Sequence, residues 1–338
     1  MQRFVLAILM LVTLSACAPR LMQGALTPPA GFPGPHFQPN AVVSFDGARL
    51  GLTKWEAAGE PWAVIVAAHG MNDYANAFHL AAPEWAEQGV TTYAYDQRGF
   101  GRSPARGIWA GAELMSEDLR TVTALARARH PNAIIAVVGE SMGGSVAAVA
   151  FASDNPPPAD RLLLLAPGVW GFDSQPLPNK TLLWLAANFT AGKVYTPPRW
   201  VTDRIYPTDN REELIRMGRD KLMIWGARSD TLYGLVKLMD KAADRVGDDH
   251  VPTFYLYGAH DQIIPKKAAL KAVKGLKPSD RSAYYAEGHH LLTRDKQRAV
   301  VIADILSFIR DPAAPLPSDA PPIPGAPTLD ASRRAAGL

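Results

Sequence analysis

Short apolar runs with almost no polar interruption are the feature that most restricts how this chain can fold. They read WAVIVAA at 62–68, VTTYAY at 90–95, AIIAVVG at 133–139, RLLLLA at 161–166, TFYLY at 253–257 and SAYY at 282–285, after shorter candidate strands at 41–45 and 50–55. Such runs are typical of parallel strands that are covered on both faces. The segments between them, such as AELMSEDLRTVTALARA, carry apolar residues at helical spacing opposite a charged face. The alternation predicts one α/β domain over 41–310, with a mostly parallel central sheet and flanking helices.

The alternation stops after residue 168, and the next convincing strand begins only near residue 253. A structureless loop of about 80 residues is improbable in a compact domain. We therefore expect an inserted, mainly helical cap over about 168–250. It contains four of the eight tryptophans, Trp170, Trp184, Trp200 and Trp225. We expect most of its aromatic residues to fill the core of the cap, and a minority that faces the main domain to line an apolar pocket.

Composition and charge exclude some classes of function and describe the two ends of the chain. The 338 residues have a formal net charge of +3 and no dense block of lysine and arginine, which excludes an obvious nucleic-acid surface. Residues 18–40 contain six prolines and residues 311–338 contain seven, with few large apolar residues. Such segments are not expected to pack. We predict a tether over 17–40 and a disordered tail over 311–338.

The N-terminal sequence MQRFVLAILMLVTLSAC predicts a signal peptide over 1–16, because an arginine precedes an apolar run that ends in small residues. Its last four residues, Leu14, Ser15, Ala16 and Cys17, resemble the lipobox of bacterial lipoproteins, and Cys17 is the only cysteine. The resemblance implies that Cys17 is lipidated and that a globular domain is tethered to a membrane of the bacterial cell envelope. The outer membrane is favoured over the inner one, with the domain in the periplasm or at the surface. The alternative is an ordinary signal peptide that ends near a cysteine.

The stretch GESMGG at 139–144 places one serine between glycines, directly after an apolar run and before the helical segment SVAAVAFA. A glycine-x-serine-x-glycine run is weak evidence by itself. In a sharp strand-to-helix turn, however, the glycines leave room for a strained backbone that exposes the serine hydroxyl at the edge of the sheet. Ser141 is therefore a candidate nucleophile.

A serine hydroxyl attacks a carbonyl only when a base accepts its proton and a carboxylate orients that base. In this fold the three groups follow in the order serine, acid, histidine, and each comes after a strand. Asp261 follows the run at 253–257, and His289 and His290 follow the run at 282–285. The sequence therefore predicts Asp261 as the acid and one of the two histidines as the base.

Five motifs now allow a family resemblance to be stated. In order, AAHGMNDYA, YDQRGFGRSP, GESMGG, GAHDQIIP and EGHHLL resemble the monoacylglycerol lipase and lysophospholipase branch of the α/β-hydrolase fold, also called Hydrolase 4, over roughly residues 40–310. The resemblance implies that His290 is the base, with His289 in the position of an aromatic residue. It also implies that the backbone amides of Met71 and Met142 form the oxyanion hole.

The resemblance implies hydrolysis of carboxylic esters of acyl lipids, with a monoacylglycerol or lysophospholipid as substrate. A short-chain carboxylesterase and an aminopeptidase of the same fold are alternatives, the latter because Glu140 and Glu287 could bind an amino group. A third alternative is a catalytically inactive binding protein tethered to the envelope, which would have lost a triad or oxyanion residue. No histidine and carboxylate cluster has metal-ligand spacing and no glycine-rich phosphate loop follows the first strand, so neither a metal nor a cofactor is expected.

Glu140 departs from the pattern of many relatives, which have histidine before the nucleophile. An unpaired carboxylate at this position would oppose an oxyanion. Because buried charges are usually paired, we expect Glu140 to point sideways and accept a hydrogen bond. In the segment DQRGFGRS, Asp96 and Arg98 are expected to pair with neighbours in a structural turn.

Overall fold

A nine-stranded sheet forms the centre of the protein, as seen in a computed structural model that describes residues 20–327. The predicted signal peptide, Cys17 and residues 328–338 lie outside the described residues. The strands are β1 (His36–Gln38), β2 (Ala41–Val43), β3 (Arg49–Trp55), β4 (Ala63–Ala68), β5 (Val90–Tyr95), β6 (Ile134–Glu140), β7 (Arg161–Leu165), β10 (Thr253–Gly258) and β11 (Arg281–Tyr285). Two further strands, β8 (Val194–Tyr195) and β9 (Ala227–Arg228), form a separate antiparallel pair.

The order of strands in the sheet is β1-β2-β3-β5-β4-β6-β7-β10-β11. In this order, every neighbouring pair from β5 to β11 is parallel. Strands β1, β2 and β3 are joined to one another and to β5 by antiparallel pairs. The predicted α/β fold with a mostly parallel sheet is confirmed. Each predicted strand occurs within about two residues of its expected bounds, since boundaries are the least certain part of such a prediction. Strand β1 and the pair β8–β9 were not predicted.

Helices cover both faces of the sheet. They are α1 (Ala81–Glu87), α2 (Ala112–Arg129), α3 (Met142–Phe151), α4 (Leu177–Phe189), α5 (Arg199–Thr202), α6 (Arg211–Arg219), α7 (Ser229–Ala243), α8 (Lys266–Ala272) and α9 (Arg298–Arg310). Helices α2, α3, α7 and α8 contribute to the core on one face, and α1 and α9 contribute to the core on the other.

Strand β4 explains why the apolar runs are uninterrupted. Val64, Val66 and Ala68 belong to one hydrophobic core, while Ala63, Ile65 and Ala67 belong to the other. Successive side chains of a strand point to opposite faces, and here helices cover both faces. Every residue of β4 is therefore buried, and no polar face remains.

The inserted cap is smaller than predicted. Helices α4, α5 and α6 and the pair β8–β9 lie between β7 and helix α7. Helix α7 itself belongs to the main domain, because Val236, Leu238, Met239 and Ala242 are part of its core. The cap therefore ends near residue 228, not near 250.

The aromatic residues of the cap also differ from the prediction that most of them fill its own core. Trp184, Trp200 and Trp225 are 49%, 69% and 53% exposed. Trp170 is half-buried against the main core. With so few buried side chains in α4 and α5, the cap has little core of its own to fill.

The predicted tether packs on the domain from residue 20 onward. The backbone N–H of Gln23 donates to the carbonyl of Trp109 at 2.8 Å, and that of Leu26 donates to Asp46 at 2.7 Å. Residues 36–38 then form β1. The prediction was wrong here because extended, proline-containing chain satisfies its backbone groups against an edge without burying large apolar side chains.

The predicted disordered tail also packs, as far as residue 327. The Tyr284 N–H, at the outer edge of β11, donates to the carbonyl of Pro321 at 2.8 Å, and the Ile323 N–H donates to Ser282 at 3.1 Å. The Ile323 side chain is buried in the main core. An edge strand exposes unpaired backbone groups, and the tail covers them here. Proline lacks an N–H but keeps a carbonyl that can accept from the strand.

The packing of the tail predicts that Ile323→Ala destabilises the whole domain. Ile323 is 1% exposed, so the substitution should lower the free energy of unfolding by about 2–5 kcal/mol. Urea denaturation followed by circular dichroism would measure this change. The matched control is Ile215→Ala, since Ile215 is 46% exposed and its truncation should change the free energy by about 0.5 kcal/mol or less. Equal small effects would contradict the packed position of the tail.

Candidate active site

Ser141 lies in a strained turn between β6 and α3. Its φ of 53° and ψ of −116° are unusual for a residue with a side chain. Two backbone hydrogen bonds, one to the end of β7 and one to the loop that follows it, hold this conformation. The Ser141 N–H donates to the Leu165 carbonyl at 3.0 Å, and the Gly168 N–H donates to the Ser141 carbonyl at 2.9 Å. The turn therefore presents Ser141, as the sequence predicted, at the carboxyl edge of the sheet, where its side chain is half-buried.

The two glycines that flank Ser141 are required by close contacts. A Cβ on Gly139 would lie 2.6 Å from the carbonyl oxygen of Gly143, and one on Gly143 would lie 2.1 Å from that of Ala68. Both separations are far inside van der Waals contact. Helix α3 therefore packs directly on the ends of β6 and β4, and the glycine-x-serine-x-glycine pattern is the sequence consequence of that packing.

The candidate oxyanion donors, Met71 and Met142, lie on either side of the turn. Met71 follows the end of β4 by three residues, and Met142 is the first residue of α3. The loop of Met71 approaches the nucleophile closely, since a Cβ on Gly70 would lie 3.2 Å from the Ser141 Cβ. Within residues 20–327, neither N–H donates a hydrogen bond to a protein group. An unpaired N–H in the first turn of a helix is suited to a developing negative charge.

Asp261 and His290 meet as the sequence predicted. The His290 Nδ1 donates to the Asp261 Oδ2 at 2.8 Å. The other carboxylate oxygen of Asp261 accepts the N–H groups of Ile263 at 2.8 Å and Ile264 at 2.9 Å. Because the carboxylate accepts from Nδ1, that nitrogen carries the proton, and Nε2 of the neutral ring is free to act as a base.

Burial and charge act in opposite directions on His290. Burial by itself would lower the pKa of the imidazole. The charge and hydrogen bond of Asp261 outweigh it, with a further contribution from Glu140, so that the pKa of His290 lies above its ordinary value. The ring is thus a stronger base than a free histidine.

His289 makes different contacts from His290. Its backbone N–H donates to Asp295 at 2.7 Å, and its side-chain Nδ1 lies 3.7 Å from the same carboxylate. Its ring lies 5.3 Å from that of His260. His290, which the family resemblance implied as the base, is the one of the two histidines in contact with Asp261. Within the described part of the chain, no hydrogen bond joins Ser141 to either histidine.

Glu140 is fully buried, and it points to Arg294, a residue that the sequence analysis missed. One guanidinium nitrogen of Arg294 donates to the Glu140 Oε1, and another donates to Asp73 at 2.7 Å. The expectation that Glu140 accepts a hydrogen bond holds in the structure. A buried carboxylate signals that a cation must be near, but the sequence does not indicate which of the 35 lysines and arginines it is.

The charges of the DQRGFGRS segment are paired within the fold, as predicted. Arg98 donates to Asp118 at 2.6 Å and to Asp46 at 2.7 Å, and Arg102 donates to Asp96 at 2.7 Å. These pairs hold the turn after β5 against its neighbours. Because the guanidinium groups of Arg98 and Arg102 are paired with these carboxylates, the segment does not indicate an anion site.

His69 supports the loop of Met71 and is a neutral ring. Burial lowers its pKa, and its Nε2 accepts the N–H of Gln97 at 2.9 Å. Its Nδ1 therefore donates to the carbonyl of Gly70 at 2.7 Å. Both nitrogens are occupied, so His69 positions the loop and has no free nitrogen for proton transfer.

Three side chains of types that can bind metals come together beside His290, although their sequence spacing did not connect them. They are Asp209, His289 and Asp295, whose ligand atoms lie within 4.8 Å of one another. Asp209 accepts the N–H of Lys296 at 2.8 Å, and Asp295 accepts that of His289. These bonds explain the group as a support for the loops around it, and we assign no metal to it.

Comparison with known proteins shows the family to which the chain belongs. The family model described as serine aminopeptidase, S33 (Hydrolase_4) matches residues 59–297. The monoacylglycerol lipase of Mycolicibacterium smegmatis is 27% identical over 281 residues, which cover 80% of this chain and 96% of that protein. The monoglyceride lipase of Mus musculus is 22% identical over 298 residues, with 83% and 93% covered.

A solved structure has the same fold. A soluble variant of monoglyceride lipase from Saccharomyces cerevisiae, in complex with a substrate analog, matches with a TM-score of 0.68 at 16% identity. The match covers 85% of this chain and 98% of that chain. The likeness supports the α/β fold described above.

Proposed function

The chain belongs to the Hydrolase_4 family, and from this premise we propose that Ser141, His290 and Asp261 form a catalytic triad that hydrolyses an ester bond of an acyl lipid. The protein is an ester hydrolase, as the monoacylglycerol lipases among its relatives indicate. The observation that carries the assignment of residues is the 2.8 Å hydrogen bond between Asp261 and His290, on the same sheet edge as the strained turn of Ser141.

The reaction begins when the Nε2 of His290 takes the proton of the Ser141 hydroxyl, while the oxygen attacks the ester carbonyl. Asp261 holds the ring in the tautomer that leaves Nε2 free and stabilises the imidazolium that forms. The C–O bond to the alcohol then breaks, and His290 returns the proton to the departing alkoxide. Water repeats the sequence on the acyl-serine and releases the fatty acid.

The negative charge of the tetrahedral intermediate is stabilised by the N–H groups of Met71 and Met142. Both are free of other acceptors within the described residues, and Met142 begins a helix of ten residues whose dipole favours an anion at this end. Donors that are fixed before the reaction need no reorganisation as charge develops. This is why they contribute strongly to the rate.

A monoacylglycerol or a lysophospholipid is the substrate class that we propose. Helix α4 of the cap exposes an apolar surface, comprising Leu177, Leu182, Trp184, Leu185 and Phe189. Such a surface is suited to an acyl chain, and an exposed apolar patch of this kind commonly marks a binding surface. The names of the relatives agree with this class, since they are monoacylglycerol and monoglyceride lipases.

Of the two carboxylates that the aminopeptidase alternative invoked, Glu140 is buried, whereas Glu287 is exposed and is tested by the aminoacyl amides described below. An amino group of a substrate would need a carboxylate that is accessible, whereas Glu140 is 0% exposed and bonded to Arg294. An inactive binding protein would be expected to lack one of the catalytic groups, and every predicted position is filled. A short-chain carboxylesterase would use the same triad, so the substrate series described below distinguishes it.

The triad predicts the results of three alanine variants in a chromogenic ester assay. Ser141→Ala and His290→Ala should each lower kcat by roughly 10⁴-fold or more, because the nucleophile or its base is lost. His289→Ala should only impair the reaction, since that ring does not contact Asp261. Circular dichroism would check that each variant is folded. Full activity of Ser141→Ala would overturn the mechanism, and an inactive His289→Ala beside an active His290→Ala would exchange the two histidines.

The substrate class predicts a rise in kcat/KM with acyl length. Monoacylglycerols and lysophospholipids with chains from four to eighteen carbons would be compared with Ser141→Ala as the blank. Each buried CH₂ group contributes about 0.8 kcal/mol to transfer out of water, so the longer chains should be favoured until the apolar surface is filled. A preference for the shortest esters would indicate a carboxylesterase, and cleavage of aminoacyl amides would indicate a peptidase.

We also propose that the protein is a lipoprotein of the bacterial envelope, anchored through Cys17. The support is the sequence LSAC at 14–17 after an apolar run, in a chain with no second cysteine. No helix among residues 20–327 has the length and hydrophobicity to span a bilayer.

The lipid anchor predicts that Cys17→Ser moves the protein from the membrane fraction to the soluble fraction of the native host. The thiol is the acceptor of the lipid, and serine cannot be processed in its place. Fractionation and metabolic labelling with a palmitate analogue would measure both effects. Unchanged fractionation together with unchanged labelling would contradict the proposal.

A further inference from the structure

A buried guanidinium touches two of the loops that carry the proposed catalytic groups. Arg294 is 1% exposed and lies four residues after His290. It donates to Glu140, the residue before Ser141, and to Asp73 at 2.7 Å, two residues after Met71. One side chain therefore joins the loop of the base, the turn of the nucleophile and the loop of the oxyanion donor.

The same group of charges continues into the cap. The Arg294 guanidinium lies 3.8 Å from Glu213 of α6. Glu213 in turn accepts two bonds from Arg216, at 2.7 and 2.8 Å. Directly after the C-terminal end of α6, Asp220 accepts a hydrogen bond from the Tyr74 hydroxyl at 2.7 Å. The cap helix and the loop of Met71 are thus joined twice.

Stability alone does not account for these charges. A buried ion pair is often no better than apolar residues of the same volume, because desolvation offsets the attraction. This group is also incompletely paired, since the Glu140 Oε2 and the Arg294 Nε have no hydrogen-bond partner within the described residues. These buried charges add little stability, and Glu140 directly precedes the nucleophile. We therefore look for their role in the reaction.

The position of Glu140 gives that role a physical meaning. Its carboxylate immediately precedes the nucleophile, where an uncompensated negative charge would oppose the oxyanion. Asp73 presents a second carboxylate on the side of Met71. Arg294 contacts both carboxylates, so it offsets their negative charges while its planar guanidinium fixes the two loops relative to each other.

We propose that Arg294 and Glu140 are positioning residues for the hydrolysis, whose buried contact holds the nucleophile turn, the oxyanion loop and the histidine loop in one arrangement and links that arrangement to cap helix α6. This inference rests on the proposed triad and specifies what keeps it aligned. Neither residue is required to touch the substrate.

The charges that act on His290 supply a readout that a purely structural role would not affect. Asp261 and Glu140 raise the pKa of His290, while burial and Arg294 lower it. Glu140 is itself faced by Arg294, Asp73 and His290. Since His290 must be neutral to act as the base, kcat/KM falls as the pH drops through this pKa. Removing Glu140 and removing Arg294 should therefore shift the acidic limb of the pH profile of kcat/KM in opposite directions.

The test compares pH profiles of kcat/KM for wild type, Glu140→Gln, Arg294→Met and Arg294→Lys. Glu140→Gln should move the acidic limb to lower pH, and Arg294→Met should move it to higher pH. Arg294→Met should also lower kcat about 100-fold with little change in KM, because misplaced catalytic groups slow the chemical step. Arg294→Lys keeps the positive charge but loses the planar guanidinium that donates to two carboxylates. The acidic limb should therefore stay in place, while kcat falls by an intermediate factor.

The matched control is Asp118→Asn, which removes one partner of the buried Arg98 away from the site. It should reduce thermal stability without moving the limb. Limbs that stay unchanged in both Glu140→Gln and Arg294→Met, or that move in the same direction, would overturn the inference. If Arg294→Met does not fold, Glu140→Gln and Arg294→Lys still decide it. Full activity of Ser141→Ala would instead refute the triad, so the two failures are distinguishable.

Discussion

The contact between helix α3 and the end of strand β4 is the constraint on which the rest of the site depends. A Cβ on Gly143 would clash with the Ala68 carbonyl oxygen, so the second residue of the helix must lack a side chain. Because α3 starts this close to the sheet, the chain must turn sharply at Ser141, and its φ becomes positive. The same contact brings Met142 beside the loop that follows β4. A single steric condition therefore exposes the nucleophile and places both candidate oxyanion donors near it.

Electrostatics extends this arrangement to parts of the chain that are distant in sequence. Asp261 reaches His290 from the end of β10, and Arg294 reaches Glu140 and Asp73 from the segment before α9. Each contact is buried, and buried charges without partners are costly. The loops are thus held where their charges are satisfied. Helix α6 of the cap takes part through Glu213, which gives the cap a direct connection to the loops beneath it.

The sequence-based predictions succeeded and failed for identifiable reasons. The uninterrupted run of β4 indicated a parallel strand correctly, because burial on both faces leaves a composition that is visible in the letters. The predictions of a tether and a disordered tail were wrong for the described residues. Composition shows that a segment has few large apolar side chains, but it does not show that the domain offers an edge strand on which the segment can pack. Residues up to 327 pack on the domain through a few hydrogen bonds and two large apolar side chains, Leu316 and Ile323, which carry almost no signal in the sequence. The cap boundary was misplaced because a helix such as α7 looks the same whether it packs on a cap or on the main core.

The sequence by itself determined the α/β fold, the family, the turn at Ser141 and the order of the candidate serine, acid and histidine. These features follow from local pattern, since hydrophobic periodicity and glycine spacing act on neighbouring residues. Residue spacing left His289 and His290 both open and the family resemblance implied His290, which the tertiary structure brings to Asp261. Tertiary structure alone decided which cation neutralises Glu140. Such pairings join residues up to 154 positions apart, and the energy that selects them depends on burial and distance. Burial and distance are set only when the folded sheet brings the ends of its strands together.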